Sequence, residues 1–174
     1  MKIFITGFAG CGKSTYGRFL ADWLQMAFID LDDKIIELEQ RSINEIFSES
    51  NGEALFRNIE SQHLKKIIQS FEHFVMATGG GTPCYHNNME LMNSAGTTIF
   101  LDVSKSVLQE RLLQCGTNRP LIKDLTDVEL KQYIDETLLF RLPFYSQCKI
   151  RVCPEKISIS KLLQILEADI KIKK

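Results

Sequence analysis

The chain of 174 residues is 44% hydrophobic and 25% charged, with a formal net charge of -1 at pH 7. This length and composition suffice for one compact domain that buries about 70% of its unfolded surface, which excludes intrinsic disorder. Because 21 Lys and Arg residues nearly balance 22 Asp and Glu residues, no general positive field exists to hold nucleic acid or an anionic membrane. Any anion site must be local, and we expect neither nucleic acid nor a membrane as a partner.

The sequence also indicates the cellular compartment. Its apolar runs extend over only a few residues, far short of the roughly 20 that cross a bilayer, and the residues after Met1 do not resemble a signal peptide. The five cysteines form no CxxC pair, a spacing that suits neither a disulfide framework nor a structural zinc site. They are Cys11, Cys84, Cys115, Cys148 and Cys153. We expect a cytoplasmic protein in which most of them are small packing residues.

Five short apolar runs alternate along the chain with longer segments of helical periodicity. The predicted strands are residues 3–6, 28–29, 74–77, 98–101 and 150–152. This alternation predicts an α/β fold with a parallel sheet of about five strands. The right-handed crossovers of such a sheet place helices on both of its faces.

The first predicted helix has an apolar stripe at spacings of three and four residues. Its members are Tyr16, Phe19, Leu20, Trp23 and Leu24. The spacing predicts that these side chains are buried against the sheet.

Two segments do not fit the alternation of strands and helices. Residues 33–70 have helical periodicity without a strand, and residues 112–126 contain Gly116, Asn118 and Pro120 in a polar stretch typical of a loop. We interpret the first as a substrate-binding insertion and the second as a lid, both within a single domain that spans residues 1–174.

Residues 7–14, GFAGCGKS, satisfy the pattern G-x-x-x-x-G-K-[ST] between a predicted strand and a predicted helix. Glycines in such a loop let backbone N–H groups converge on phosphate oxygens, and the following helix adds its positive dipole end. Lys13 can reach the β- and γ-phosphates, the Ser14 hydroxyl can bind Mg²⁺, and Thr15 is a candidate contact to the α-phosphate. The loop alone leaves kinases, GTPases, ATPases and motor proteins open.

Two carboxylates follow the second predicted strand. Asp30 and Asp32 alternate, so on an extended chain they project to the same side, at the end of the sheet where α/β proteins bind ligands. One can serve Mg²⁺ through water while the other accepts a proton from an attacking hydroxyl. The alternative is a solvated acidic turn that caps a helix, a role that suits Asp33 best.

The third predicted strand leads into three consecutive glycines, Gly79, Gly80 and Gly81, which permit close approach by a ligand. A merely structural turn remains the alternative. Further candidates for binding an anion are Arg57 with Glu60, Arg119 and Arg141. Taken singly, an arginine is more often a solvated surface residue.

Together these segments resemble the shikimate kinase family, within the nucleoside monophosphate kinase-like group of P-loop proteins. The matching segments lie between residues 7 and 145 and are GFAGCGKST, FIDLD, SINEIF, GEALFRNIE, ATGGG, RPL and FRLPFY. The resemblance implies a three-layer P-loop kinase fold, a monomer, and Mg²⁺ as the metal. It further implies ATP-dependent phosphorylation of the 3-hydroxyl of shikimate, in the route to chorismate and the aromatic amino acids.

The resemblance also implies roles for individual residues. Lys13, Asp32 and Arg119 would be catalytic, and Ser14 and Asp30 would hold the metal. The ATP contacts would be Gly10, Cys11, Gly12, Lys13, Ser14, Thr15 and Arg119, with Arg111 as a weaker candidate. Shikimate would contact Asp32, Arg57, Gly79, Gly80, Gly81 and Arg141, with Glu60 supporting Arg57.

The chain departs from the family pattern in places. Members often have a Glu after the Ile of D-x-D-x-x-I, where this chain has Ile36, and its next Glu is Glu37. The predicted lid has few basic residues, so its grip on the nucleotide would depend mainly on Arg119. We expect the adenine near residues 152–156 and the lid.

Two alternative functions are consistent with parts of the sequence. Another small-molecule kinase of this fold, acting on gluconate or a nucleoside monophosphate, would explain the P-loop but not the arginines combined with three glycines. A nucleotide-dependent switch would need no acceptor-side Arg and Asp groups. A GTPase would also need an NKxD-like sequence to read guanine, and the chain has none.

Overall fold

The computed structural model describes residues 1–114, 125–156 and 159–172. Its centre is a five-stranded sheet of order β2-β3-β1-β4-β5 in which every pair is parallel. The strands are β1 (Lys2–Thr6), β2 (Ala27–Asp30), β3 (Phe74–Ala77), β4 (Thr97–Leu101) and β5 (Ile150–Val152). All five predicted strands are confirmed, with ends within one residue of those expected.

Eight α-helices connect and cover the strands in the described part of the chain. They are α1 (Lys13–Leu24), α2 (Leu31–Glu39), α3 (Ile43–Phe47), α4 (Gly52–Ser70), α5 (Asn88–Ala95), α6 (Lys105–Gln114), α7 (Asp127–Tyr145) and α8 (Ile159–Ile172). A short 3-10 helix, Thr82–Cys84, follows the three glycines.

Apolar side chains fill both faces of the sheet. Along β1, Ile3 and Ile5 belong to a core shared with α1, α6, α7 and α8, whereas Phe4 belongs to a second core shared with α2 to α5. Because successive residues of a strand point to opposite faces, one strand supplies both cores. The result is the predicted three-layer α/β architecture.

The predicted apolar face of α1 is partly wrong. Leu20 is buried, but Phe19 and Trp23 are each 39% exposed, and Gly17 and Ala21 are buried in their place. A Cβ atom at Gly17 would lie 2.5 Å from the ring of Phe28. Small residues therefore bring the helix close to the sheet, and this rotates the larger aromatic side chains towards solvent.

The segment 33–70 is helical without a strand, as predicted, and contributes α3, α4 and most of α2. Of the predicted lid, only residues 112–114 and 125–126 are described, so Arg119, Gly116, Asn118 and Pro120 lie outside the described residues. The division of residues 1–174 into one domain with a substrate-binding insertion and a lid stays a prediction. No helix in the described ranges has the length and apolar character needed to span a membrane.

Candidate active site

A cavity of about 860 Å³ opens at the carboxyl ends of β1, β2 and β3. Every predicted site residue that the structure describes lines it, with the exception of Cys11. These residues are Gly10, Gly12, Lys13, Ser14, Thr15, Asp30, Asp32, Arg57, Glu60, Gly79, Gly80, Gly81 and Arg141. The order of the strands thus brings together segments that are far apart in the sequence.

The P-loop forms one end of the cavity. Gly10 and Gly12 have φ angles of 81° and 99°, values that L side chains rarely adopt, and α1 begins directly after Gly12. Cys11 is fully buried in the core beneath the loop, and its backbone N–H donates to the Phe8 carbonyl at 3.2 Å. The loop is thus already curved around the N-terminus of α1, where an anion binds favourably.

Two cations lie against this loop. The Lys13 ammonium donates to the carbonyls of Gly7 at 3.0 Å and Phe8 at 2.9 Å. The Arg111 guanidinium donates from α6 to the Gly10 carbonyl at 3.2 Å. Arg111 therefore reaches the predicted nucleotide end of the cavity. Residues 152–156, expected near adenine, are not among the described residues that line it.

Asp30 links the P-loop to α2. Its Oδ2 accepts a hydrogen bond from the Ser14 hydroxyl at 2.7 Å, and its Oδ1 accepts one from the Asp32 backbone N–H at 3.2 Å. Asp30 is therefore the N-cap of α2, which begins at Leu31. The prediction that Asp30 and Asp32 alternate on an extended chain is wrong, and the residue that caps the helix is Asp30 and not Asp33. Because Asp30 caps α2, Asp32 lies in the first turn of the helix.

Asp32 lies between the two ends of the cavity, in the first turn of α2. Burial, and then the negative charges of Glu60 and Asp30, raise its pKa to about 6, against the opposing effect of Lys13 and Arg57. A carboxylate with this pKa is ionised at neutral pH and is a much stronger base than an ordinary Asp. Because Asp32 lies within electrostatic reach of Lys13 and Arg57, its position suits an acid–base role.

Arg57 and Glu60 form a buried ion pair on α4. Glu60 is 0% exposed, Arg57 is 6% exposed, and Arg57 Nη1 donates to Glu60 Oε2 at 3.0 Å. The second Glu60 oxygen accepts from the Thr82 hydroxyl at 2.5 Å. Burial alone would lower the pKa of the Arg57 guanidinium, but Glu60, with smaller contributions from Tyr85 and Glu53, outweighs burial and raises that pKa. The buried guanidinium is therefore kept charged.

The three glycines allow the backbone after β3 to touch charged side chains. A Cβ atom would lie 2.8 Å from Glu60 Oε1 at Gly79, 2.9 Å from Arg141 Nη1 at Gly80, and 2.5 Å from Arg57 Nη2 at Gly81. At each position a Cβ atom would force the neighbouring charged side chain to move. The glycines thus bring both arginines to one wall of the cavity, which a merely structural turn would not require.

Sequence reasoning gave no individual role to several residues of this wall. The Tyr145 hydroxyl, one helical turn after Arg141, donates to the Gly80 carbonyl at 2.5 Å. Phe47 and Phe56 add an apolar side to the cavity. The sequence signal that could have identified Tyr145 is its i+4 spacing from Arg141 in FRLPFY. No local pattern identifies Tyr85, whose ring centroid lies 4.5 Å from the Arg57 Cζ.

The position where the family often has a Glu is also at this site. Ile36 lines the cavity and is 40% exposed. Glu37 instead forms an exposed ion pair with Lys34 at 2.6 Å. The departure therefore replaces a charge at the cavity with an apolar side chain.

A family model described as shikimate kinase matches residues 9–170. The chain belongs to the shikimate kinase family. A shikimate kinase of Bacteroides fragilis is 44% identical over 90% of this chain and 87% of its own length, and one from Azobacteroides pseudotrichonymphae is 41% identical over 95% and 96%. The predicted family and the predicted activity class, an ATP-dependent kinase, are confirmed.

Solved structures agree with this assignment. The crystal structure of a shikimate kinase from Bacteroides thetaiotaomicron has a TM-score of 0.88 and 36% identity, covering 96% of this chain and 98% of that one. A shikimate kinase from Acinetobacter baumannii, solved in complex with shikimate, has a TM-score of 0.83 and 27% identity, covering 99% and 94%. A gluconokinase from Sinorhizobium meliloti, at 18% identity, 94% and 87% coverage and a TM-score of 0.56, shares the fold alone. The predicted fold class is confirmed.

Proposed function

We propose that this chain transfers the γ-phosphoryl group of ATP to the 3-hydroxyl of shikimate, with ATP at the P-loop end and shikimate at the arginine end of one cavity. The observation that supports this most is the place of Asp32, within electrostatic reach of both Lys13 and Arg57. A hydroxyl acceptor held against Asp32 would face the phosphates held by Lys13. The A. baumannii relative, solved with shikimate, supports the choice of acceptor.

At the ATP end, backbone N–H groups of residues 10–15 bind the phosphate oxygens. When ATP binds, the Lys13 ammonium donates to the β- and γ-phosphates in place of the carbonyls of Gly7 and Phe8. Hydrogen bonds from an ammonium to charged phosphate oxygens are stronger than those to neutral carbonyls. Arg111 approaches the same end from α6. These groups stabilise the charge that spreads over the transferring phosphoryl oxygens.

Ser14 and Asp30 fit a magnesium site. Their side-chain oxygens lie 2.7 Å apart beside the P-loop, and hydroxyl and carboxylate oxygens are the hard ligands that Mg²⁺ binds, together with water and nucleotide phosphates. Ser14 would bind the ion directly and Asp30 through water. When bound, Mg²⁺ neutralises phosphate charge.

At the shikimate end, Arg57 and Arg141 bind the substrate carboxylate, a task that suits the planar fork of guanidinium. The glycines bring the backbone against the ring of the acceptor, and Asp32 orients its 3-hydroxyl. As the oxygen attacks phosphorus, Asp32 accepts the proton of the hydroxyl, and the bond from the γ-phosphorus to the bridging oxygen of ADP breaks.

We further propose that Arg119, which lies outside the described residues, contacts the phosphates and that the predicted lid excludes water from the transfer. We expect the enzyme to act as a cytoplasmic monomer.

A coupled assay of ADP release tests the proposed reaction. With Mg-ATP, we expect turnover with shikimate, and none with gluconate or nucleoside monophosphates. Asp32→Asn should lower kcat by about 100-fold or more because it removes the base. Glu37→Gln, an exposed residue of the same helix that does not line the cavity, is the control and should change kcat less than twofold. Turnover with another acceptor, or full activity in Asp32→Asn, would contradict the proposal.

A further inference from the structure

Tyr85 lies directly against the buried arginine of the acceptor end. It follows the 3-10 helix that comes after the three glycines, and the centroid of its ring is 4.5 Å from Arg57 Cζ. Arg57 is on α4, 28 positions earlier in the chain. A guanidinium over a tyrosine ring at this distance is attracted by the negative face of the ring.

The other contacts of Arg57 leave its orientation incompletely fixed. Glu60 holds only Nη1, and the nearest oxygen of Glu53 is 3.6 Å from Nη2, longer than a good hydrogen bond. The Nε atom is buried without a hydrogen-bond partner among the described residues. A single bond at one nitrogen does not by itself fix the plane, so contacts with its faces contribute to its direction. The ring centroids of Tyr85 and Phe56 lie 4.5 Å and 5.2 Å from Arg57 Cζ, and Tyr85 is the nearer of the two.

Tyr85 also contacts both of the helices that carry the two arginines. Its hydroxyl donates to Glu53 Oε1 at 3.1 Å, which fixes the ring to the first turn of α4. Its ring centroid is 6.4 Å from that of Phe140 on α7, the residue before Arg141. The ring is therefore held between the helices that supply the two arginines.

We propose that Tyr85 is a positioning residue for shikimate binding, which holds the Arg57 guanidinium by a cation–π contact in the plane that receives the substrate carboxylate. This inference rests on the proposed function, in which Arg57 binds that carboxylate. Tyr85 acts through Arg57 and does not itself take part in phosphoryl transfer. Its loss should therefore affect the Kd and KM for shikimate, but not kcat or the KM for ATP.

The decisive experiment replaces Tyr85 with phenylalanine and then with phenylalanines carrying one, two and three ring fluorines. Fluorine withdraws negative charge from the face of the ring with little change in its shape, so a role in packing alone would not follow the series. We expect Tyr85→Phe to stay within about threefold of the parent Kd for shikimate, measured by calorimetry. The Kd should then rise stepwise to roughly tenfold at three fluorines. The same substitutions at Phe71, exposed at the end of α4, are the matched control and should leave the Kd unchanged.

A second variant separates this inference from the proposed function. Arg57→Lys keeps a positive charge but loses the planar fork, and it should weaken shikimate binding more than tenfold. If Arg57→Lys binds shikimate normally, Arg57 does not bind the carboxylate, and both the assignment of Arg57 and the role of Tyr85 fail, while the proposed reaction is still judged by the assay of ADP release. If Arg57→Lys weakens binding while the fluorine series at position 85 is flat, only the role of Tyr85 is overturned. Tyr85→Leu, which keeps bulk but has no ring, should raise the KM for shikimate at unchanged kcat.

Discussion

Arg57 donates from Nη1 to Glu60 Oε2 across 3.0 Å, and the acceptor carboxylate is wholly excluded from solvent. The other oxygen of the same carboxylate accepts a hydrogen bond from the Thr82 hydroxyl. Removing one partner of such a buried ion pair lowers the stability of the protein, because the other charge is left buried alone. The same ion pair therefore stabilises α4 and positions Arg57, to which we assign the binding of shikimate.

Replacing Glu60 with Gln should lower the stability of the protein and weaken shikimate binding. The change leaves Arg57 buried without a counter-ion, so we expect the free energy of unfolding to fall by about 2–4 kcal/mol and the KM for shikimate to rise at least tenfold. Denaturant titration and steady-state kinetics measure the two effects. Glu49→Gln, which breaks the exposed pair with Arg41, is the control and should cost no more than about 1 kcal/mol. Equal losses in the two variants would contradict the special role of the buried pair.

The rate should depend on the ionisation of Asp32. Because its pKa is about 6 in the unliganded protein, kcat/KM for shikimate, measured at Mg-ATP concentrations well below the KM for ATP, should be level above pH 7 and fall about tenfold per pH unit below 6. The Kd for ATP, measured over the same range, shows whether the nucleotide site contributes to the decline. A level profile down to pH 5 would exclude Asp32 as the base.

Asp32 should also reduce stability at neutral pH. Folding raises its pKa from 3.8 to about 6, so the folded chain binds more protons than the unfolded chain, and this residue's contribution to stability decreases as the pH rises from about 4 to 6. Above pH 6, Asp32→Asn should be more stable than the parent by on the order of 1–3 kcal/mol, although its kcat is much lower. At pH 4 the difference should disappear. Thermal unfolding at several pH values tests this, and a less stable variant at pH 8 would be the contrary result.

Gly81→Ala should weaken shikimate binding without unfolding the protein. The backbone at Gly81 has a φ of -88°, which alanine adopts readily, but the added methyl would lie 2.5 Å from Arg57 Nη2. The end of the arginine side chain is what must move. We expect the KM for shikimate to rise about tenfold or more, by analogy with other misplacements of binding groups, while the KM for ATP is unchanged. A rise in both KM values would indicate a general disturbance instead.

Local sequence signals predicted the strands and the P-loop well, because each depends on residues adjacent in the chain. The strands at 74–77 and 150–152 coincide with the observed ones. The prediction that Asp32 lies on an extended chain is wrong because of a tertiary contact. Asp30 accepts a hydrogen bond from the Ser14 hydroxyl and at the same time caps α2. Periodicity likewise could not show that Gly17 brings α1 so close to Phe28 that Phe19 and Trp23 turn outwards. The contact of Tyr85 with Arg57 depends on the path of the chain after the three glycines, which no local pattern reports.

The pairing of β1 has a consequence for synthesis on the ribosome. This strand and the P-loop are made before both of the strand's neighbours, which begin only at Phe74 and Thr97. A nascent chain that ends before Thr97 contains the whole P-loop sequence but not the sheet that fixes its shape. Contacts of such long separation form late and slowly, so the ability to bind nucleotide should arise only after the residues of β4 have been made.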